Sequence, residues 1–67
     1  MEPTQTAIEE SRVALGVSIR ELAREAGVDH TYLSRYERGQ VTPSRSWLRR
    51  VAQAIGSRVA SRYQENA

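Results

Sequence analysis

The chain has 67 residues, no Cys, a single His, and ten cations against eight anions at a pI near 9.7. So short a chain makes one domain, which buries only ~60% of the surface exposed on unfolding. Disulfides, thiolate metal sites, Cys nucleophiles and a multi-His metal site are excluded, and no run is long and apolar enough to span a membrane.

Residues 1–5 read as a flexible N-terminal arm. Thr6-x-x-Glu9 has capping-box spacing and predicts a helix over about 6–15, ended by Gly16. Its inward stripe runs Ile8, Ser11, Arg12 and Leu15, so half of it is polar. Ser18-x-x-Glu21 repeats the capping spacing and opens a second helix over about 18–26. There Ile19, Leu22, Ala23 and Ala26 recur at i, i+3, i+4 and i+7, and Gly27 stops the run. Asp29 can cap a third helix over about 29–38, with Leu33 and Tyr36 on its buried side and Gly39 at its end. Two short helices joined by a tight Gly27-Val28-Asp29 turn form the signature of a helix-turn-helix.

After a loop over 40–43, Ser44 is the expected cap of a fourth helix. Trp47, Leu48, Val51, Ala52 and Ile55 are its apolar stripe, and Gly56 is expected to close it. Val59 and Tyr63, at i and i+4, fit one last short helix, and residues 65–67 are expected to fray. No period-2 run predicts a strand. The expectation is an all-α domain over residues 6–64, compact, with four to five helices.

Charge is unevenly spread. Residues 1–27 carry three Arg against five Glu, a net of −2. Residues 28–67 carry seven Arg against Asp29, Glu37 and Glu65, a net of +4. A basic half on a small domain points to a polyanion. The third helix sharpens this. Opposite Leu33 and Tyr36, His30, Thr31, Ser34, Arg35 and Arg38 fall at i, i+1, i+4, i+5 and i+8 and can face one way. All of them can donate hydrogen bonds and none is acidic. A major groove suits such a set, because Arg can bridge O6 and N7 of guanine while His, Thr and Ser can bond base edges or phosphates. A plain solvated face would mix in Glu and Lys.

Two charges sit on inward stripes: Arg12 four residues after Ile8, and Glu37 four residues after Leu33. Each would be costly to bury alone. Either they satisfy one another as a planar fork on a carboxylate, or they are surface charges that never meet. His30 beside Asp29 suggests a base with its orienter, but adjacent residues on a helix do not face each other. No enzyme activity, cofactor or metal site is expected. Trp47, on an apolar stripe, reads as core rather than as a stacking platform.

The stretch Ile8 to Gly56 resembles the Xre-type helix-turn-helix family, the group of lambdoid phage repressors and Cro. The resemblance rests on Arg12, Leu15-Gly16-Val17-Ser18, Glu21-Leu22-Ala23, Ala26-Gly27-Val28, Tyr32 through Gly39, Pro43-Ser44 and Ala52-x-Ala54-Ile55-Gly56. It implies a lambda-repressor-like domain, with a helix 1 to helix 3 ion pair at Arg12 and Glu37. It also implies base contacts from His30, Thr31 and Arg35, with Ser34 and Tyr32 flanking them. By the same resemblance Ser18, Arg20, Tyr32, Arg38, Gln40 and Arg45 fall where the DNA backbone is held, and a helix N-terminus at Ser18 suits a phosphate. The chain departs from the family pattern at Ile19, where Gln is common. It departs again at Arg45 and Arg49, where apolar residues are common, and at Ser57, Arg58 and Arg62 near the usual fifth helix.

The expected function is sequence-specific binding of double-stranded DNA by a bacterial or phage transcriptional regulator. A repressor is favoured over an activator, with the recognition helix in the major groove of a palindromic operator. A homodimer is expected at least on DNA, in the cytoplasm and on the nucleoid, without a membrane. The alternative is a helix-turn-helix protein-interaction module, such as an antitoxin or an assembly adaptor, using Glu9 and Glu10 of the first helix as its contact face.

Overall fold

Polar side chains start every helix of this chain. In the computed structural model, which describes residues 4–65, the elements are α1 (Gln5–Ala14), α2 (Ile19–Ala26), α3 (His30–Glu37) and α4 (Arg45–Glu65), with no strand among those residues. Ser18 Oγ accepts from Glu21 N at 3.0 Å, Asp29 Oδ2 from Tyr32 N at 2.9 Å, and Ser44 Oγ from Trp47 N at 3.2 Å. Each bond satisfies an amide that has no partner inside its own helix.

The first helix begins earlier than its capping box suggests. Thr4, not Thr6, is the cap, and its Oγ1 accepts from Ala7 N at 3.1 Å. Within the expected arm, Thr4 is therefore this cap and Gln5 opens α1, while residues 1–3 lie outside the described residues. Starting at Gln5 lays its side chain against the end of α3. A Cβ built on Gly39 would stand 2.9 Å from the Gln5 Nε2 atom, and Gly39 itself has φ +75°. The left-handed backbone calls for glycine there, whereas the flexible end of the Gln5 side chain could shift aside.

The larger correction is at Gly56. It does not close a helix; α4 runs through it for 21 residues and absorbs the expected fifth helix. Glu65 is its last residue, so of the expected frayed end only residues 66 and 67 remain, outside the described residues. A mid-helix glycine costs about 1 kcal/mol, and contacts beyond it offset that cost. The inward stripe Val51, Ala54, Ile55 continues as Arg58 and Arg62. Arg58 Nε donates to both Glu25 oxygens at 2.9 and 3.0 Å, its Nη2 also reaches Glu25, and Glu21 Oε2 lies 3.5 Å from that nitrogen. Arg62 Nη1 donates to the Ala14 carbonyl at 3.4 Å. Nothing lies within 4 Å of a Cβ placed on Gly56. Gly56→Ala should therefore raise stability by about 0.5–1 kcal/mol. Urea midpoints check this; a loss would mean that residue 56 is not helical.

The core is Ile8, Val17, Leu22, Ala23, Leu33, Tyr36, Val51 and Ala54, drawn from every helix and the first loop. Leu15, Ile19, Ala26, Val28, Val41, Trp47, Leu48 and Ile55 close around it.

The Arg58–Glu25 tie has an acid signature. Hydrogen bonds from Arg58, and then its charge, hold the Glu25 carboxyl below the usual carboxylate range despite some desolvation. The unfolded chain thus takes up a proton at higher pH than the folded one. This contribution is present above the ordinary Glu range and is lost as pH falls through the depressed value. Glu25→Gln should lower stability at neutral pH, and the gap to the parent should close in acid. Parallel denaturant melts at low salt test this, and a gap independent of pH would show that the carboxylate charge is not involved.

Candidate nucleic-acid interface

The geometry of α2 and α3 follows from their turn. Gly27 adopts φ 71° and ψ 35°, and Val28 N donates to the Ala23 carbonyl at 2.9 Å. This left-handed cap ends α2 within one residue. Val28 then turns half inward, and Asp29 caps the eight-residue α3. Leu33 is completely buried and Tyr36 nearly so. His30, Thr31, Arg35 and Arg38 are exposed and Ser34 half-buried. At 3.6 residues per turn these five span an arc of about 140°, clear of the buried side.

That arc carries no carboxylate, and the reason is structural. Asp29 spends its side chain on the Tyr32 amide. Glu37 turns inward to Arg12: Nε to Oε2 at 2.8 Å and Nη2 to Oε1 at 2.9 Å, with Nη1 donating to the Val17 carbonyl at 3.0 Å. The Arg12 and Glu37 side chains are 15% and 6% exposed. The fork of bonds to Glu37 raises the Arg12 pKa above its ordinary value, against the effect of burial. Both acids of α3 and its cap are thereby withdrawn, and the outward face is left to His, Thr, Ser and Arg.

Around this arc stand the other candidate positions. Ser18 and Arg20 are exposed at the N-terminus of α2. Ser18 Oγ accepts the Glu21 amide and donates to Glu21 Oε1 at 3.4 Å, so the free amides of the first turn are what remain for an anion. Gln40 is exposed after α3, its amide donating to the Arg35 carbonyl at 2.9 Å. Arg45 is exposed at the first position of α4. Tyr32 is half-buried with its ring edge-on to Trp47, so it sits at the border of the arc rather than within it.

A family model described as helix-turn-helix matches residues 8–60. The chain belongs to the Xre/lambda repressor-like helix-turn-helix family. Its four helices, without strands among the described residues, have the lambda-repressor-like fold of that family. As a member it is a DNA-binding helix-turn-helix regulator. Nothing among curated proteins matches the sequence.

Among the described residues no group of three or more His, Cys, Asp or Glu could hold a metal ion, and no helix is long and apolar enough to cross a membrane. The carboxylate of Asp29 is bound to a backbone amide and does not orient His30.

Two features escape a reading of the family pattern. Arg58 and Arg62 look like surface dilution of a fifth helix, yet they bind Glu25, Glu21 and the end of α1. A signal was present: Glu21 and Glu25 are i and i+4 on α2, and Arg58 extends the inward stripe of α4. Trp47 is half-buried, not core, and its ring meets two tyrosines of α3.

Proposed function

We propose that this domain binds double-stranded DNA sequence-specifically, with α3 in the major groove and α2 across the backbone. His30, Thr31, Ser34 and Arg35 read base edges. Ser18, Arg20, Tyr32, Arg38, Gln40 and Arg45 hold phosphates. The observation that carries this reading is the exposed, carboxylate-free arc of α3, whose two nearest acids are consumed by a cap and by Arg12. A protein-interaction adaptor has no need to keep an exposed face made only of hydrogen-bond donors there.

The proposal extends to a homodimer on a palindromic operator, because paired recognition helices about 34 Å apart meet successive major grooves on one side of the duplex. We assign it to bacterial or phage transcription, acting at the nucleoid in the cytoplasm. Repression is the simplest output, since occupancy of an operator alone can exclude polymerase.

Selection from random duplex DNA tests the whole reading. A recovered palindrome with half-sites about one helical turn apart supports it. Affinity for the recovered site should fall steeply with salt as phosphate contacts release counterions. If no duplex is retained even at low salt, the fold serves as a protein-interaction module instead.

A further inference from the structure

Trp47 lies in the first turn of α4, its amide donating to Ser44. Its indole meets two rings of α3 edge-on: Tyr32 at 5.2 Å between centroids and 71° between planes, and Tyr36 at 5.2 Å and 68°. Tyr32 and Tyr36 are one turn apart, so one side chain of α4 grips two successive turns of the helix that carries the arc. Tyr36 is buried, whereas Tyr32 and Trp47 keep an exposed edge. The contact thus runs from the core out to the border of the proposed DNA face.

Apolar packing by Leu33 is non-directional and tolerates a small roll of α3; the Arg12–Glu37 fork is directional but ties down only the last residue of that helix. Edge-on ring pairs are directional, since the positive edge of one ring seeks the negative face of another. The difference matters at the tip of the helix surface. At about 5 Å from the axis, a roll of about 20° displaces a side chain by about 2 Å. A bidentate contact to guanine needs placement to within about 0.5 Å. Arg35 follows Tyr32 by three residues and shares whatever roll Tyr32 has.

We infer that Trp47 is a positioning residue: through Tyr32 and Tyr36 it fixes the roll of α3, and so the aim of Arg35 and the discrimination between DNA sequences. This rests on the DNA reading above. Trp47 itself touches no base in this scheme.

The test is the ratio of Kd on random duplex to Kd on the selected site, for the full chain at fixed salt. It is measured at a temperature where circular dichroism shows each variant folded. Trp47→Leu, which keeps apolar bulk but no ring, should lose about tenfold in that ratio while affinity for random duplex stays within about twofold. Trp47→Phe, which keeps an edge-on ring, should restore the ratio to within about threefold of the parent. Tyr32→Leu should lower the ratio too, and the Trp47→Leu/Tyr32→Leu double variant no further, because the rings act as one unit. An unchanged ratio in Trp47→Leu, or no rescue by Trp47→Phe, overturns the inference. If Trp47→Leu does not fold, an unchanged ratio in Tyr32→Leu overturns it alone. A parent that selects no sequence overturns the DNA reading and the positioning role with it.

Discussion

Glu37→Ala should lower the unfolding free energy by about 3 kcal/mol or more. The Arg12 guanidinium, 15% exposed, would keep one bond to the Val17 carbonyl and lose two charge-assisted bonds. Arg12→Ala should do comparable harm from the other side, stranding a carboxylate that is 6% exposed and removing the donor to Val17. In a domain of this size, 3 kcal/mol corresponds to a fall in Tm of about 12 °C or more. It would also consume a large share of a total stability of about 5 kcal/mol. The double variant should cost much less than the two single losses together, since neither charge is then left alone. Thermal melts of the four proteins in this cycle measure the coupling, and simple additivity would refute a coupled pair. The arc of α3 should keep its residues but lose its bearing, so affinity for DNA should fall with the folded fraction.

Arg35→Ala should act in the opposite sense, on binding with little effect on the fold. Arg35 is exposed in the second turn of α3 and makes no ion pair among the described residues. It is the one side chain in the first two turns of the arc able to bond guanine through two donors. Its removal should cost about 1–3 kcal/mol on the selected site and little on random duplex, relaxing one base position per half-site. Arg35→Lys should not restore the preference, because an ammonium cannot span O6 and N7 as a planar fork does. Leu33 and Tyr36 hold the other side of the helix, so the melting temperature should barely move. Equal losses on selected and random DNA, with the fold intact, would make Arg35 a phosphate clamp. Readout would then pass to His30, Thr31 or DNA shape.

Where a helix start is marked by one polar residue before an apolar period, the sequence shows it directly, as at Ser18, Asp29 and Ser44. At the first helix the sequence points to Thr6, and the structure uses Thr4. The spacing to Glu9 favours Thr6, but Thr4 takes the Ala7 amide and the helix opens at Gln5, whose side chain lies near Gly39, 34 positions on. At Gly56 a local rule for helix ends loses to tertiary bonds formed by Arg58 and Arg62. The arc of α3 could be drawn from spacing alone, since it depends only on helical period. The half-buried setting of Ser34 and Tyr32 could not, because it depends on which neighbours crowd the edge of that arc.

The Arg12 contacts also bear on why the ten cations include no lysine. At position 12 three nitrogens serve three acceptor atoms, two on Glu37 and one on Val17. At position 58 two nitrogens reach Glu25. A lysine offers one compact ammonium on a flexible stem and cannot span either set. Arg20, Arg24, Arg49 and Arg50 are exposed and meet no such geometry, so an ammonium would serve as well at each. Lysine is thus tolerated at positions 20, 24, 49 and 50 and excluded at position 12, whose three acceptors it cannot span.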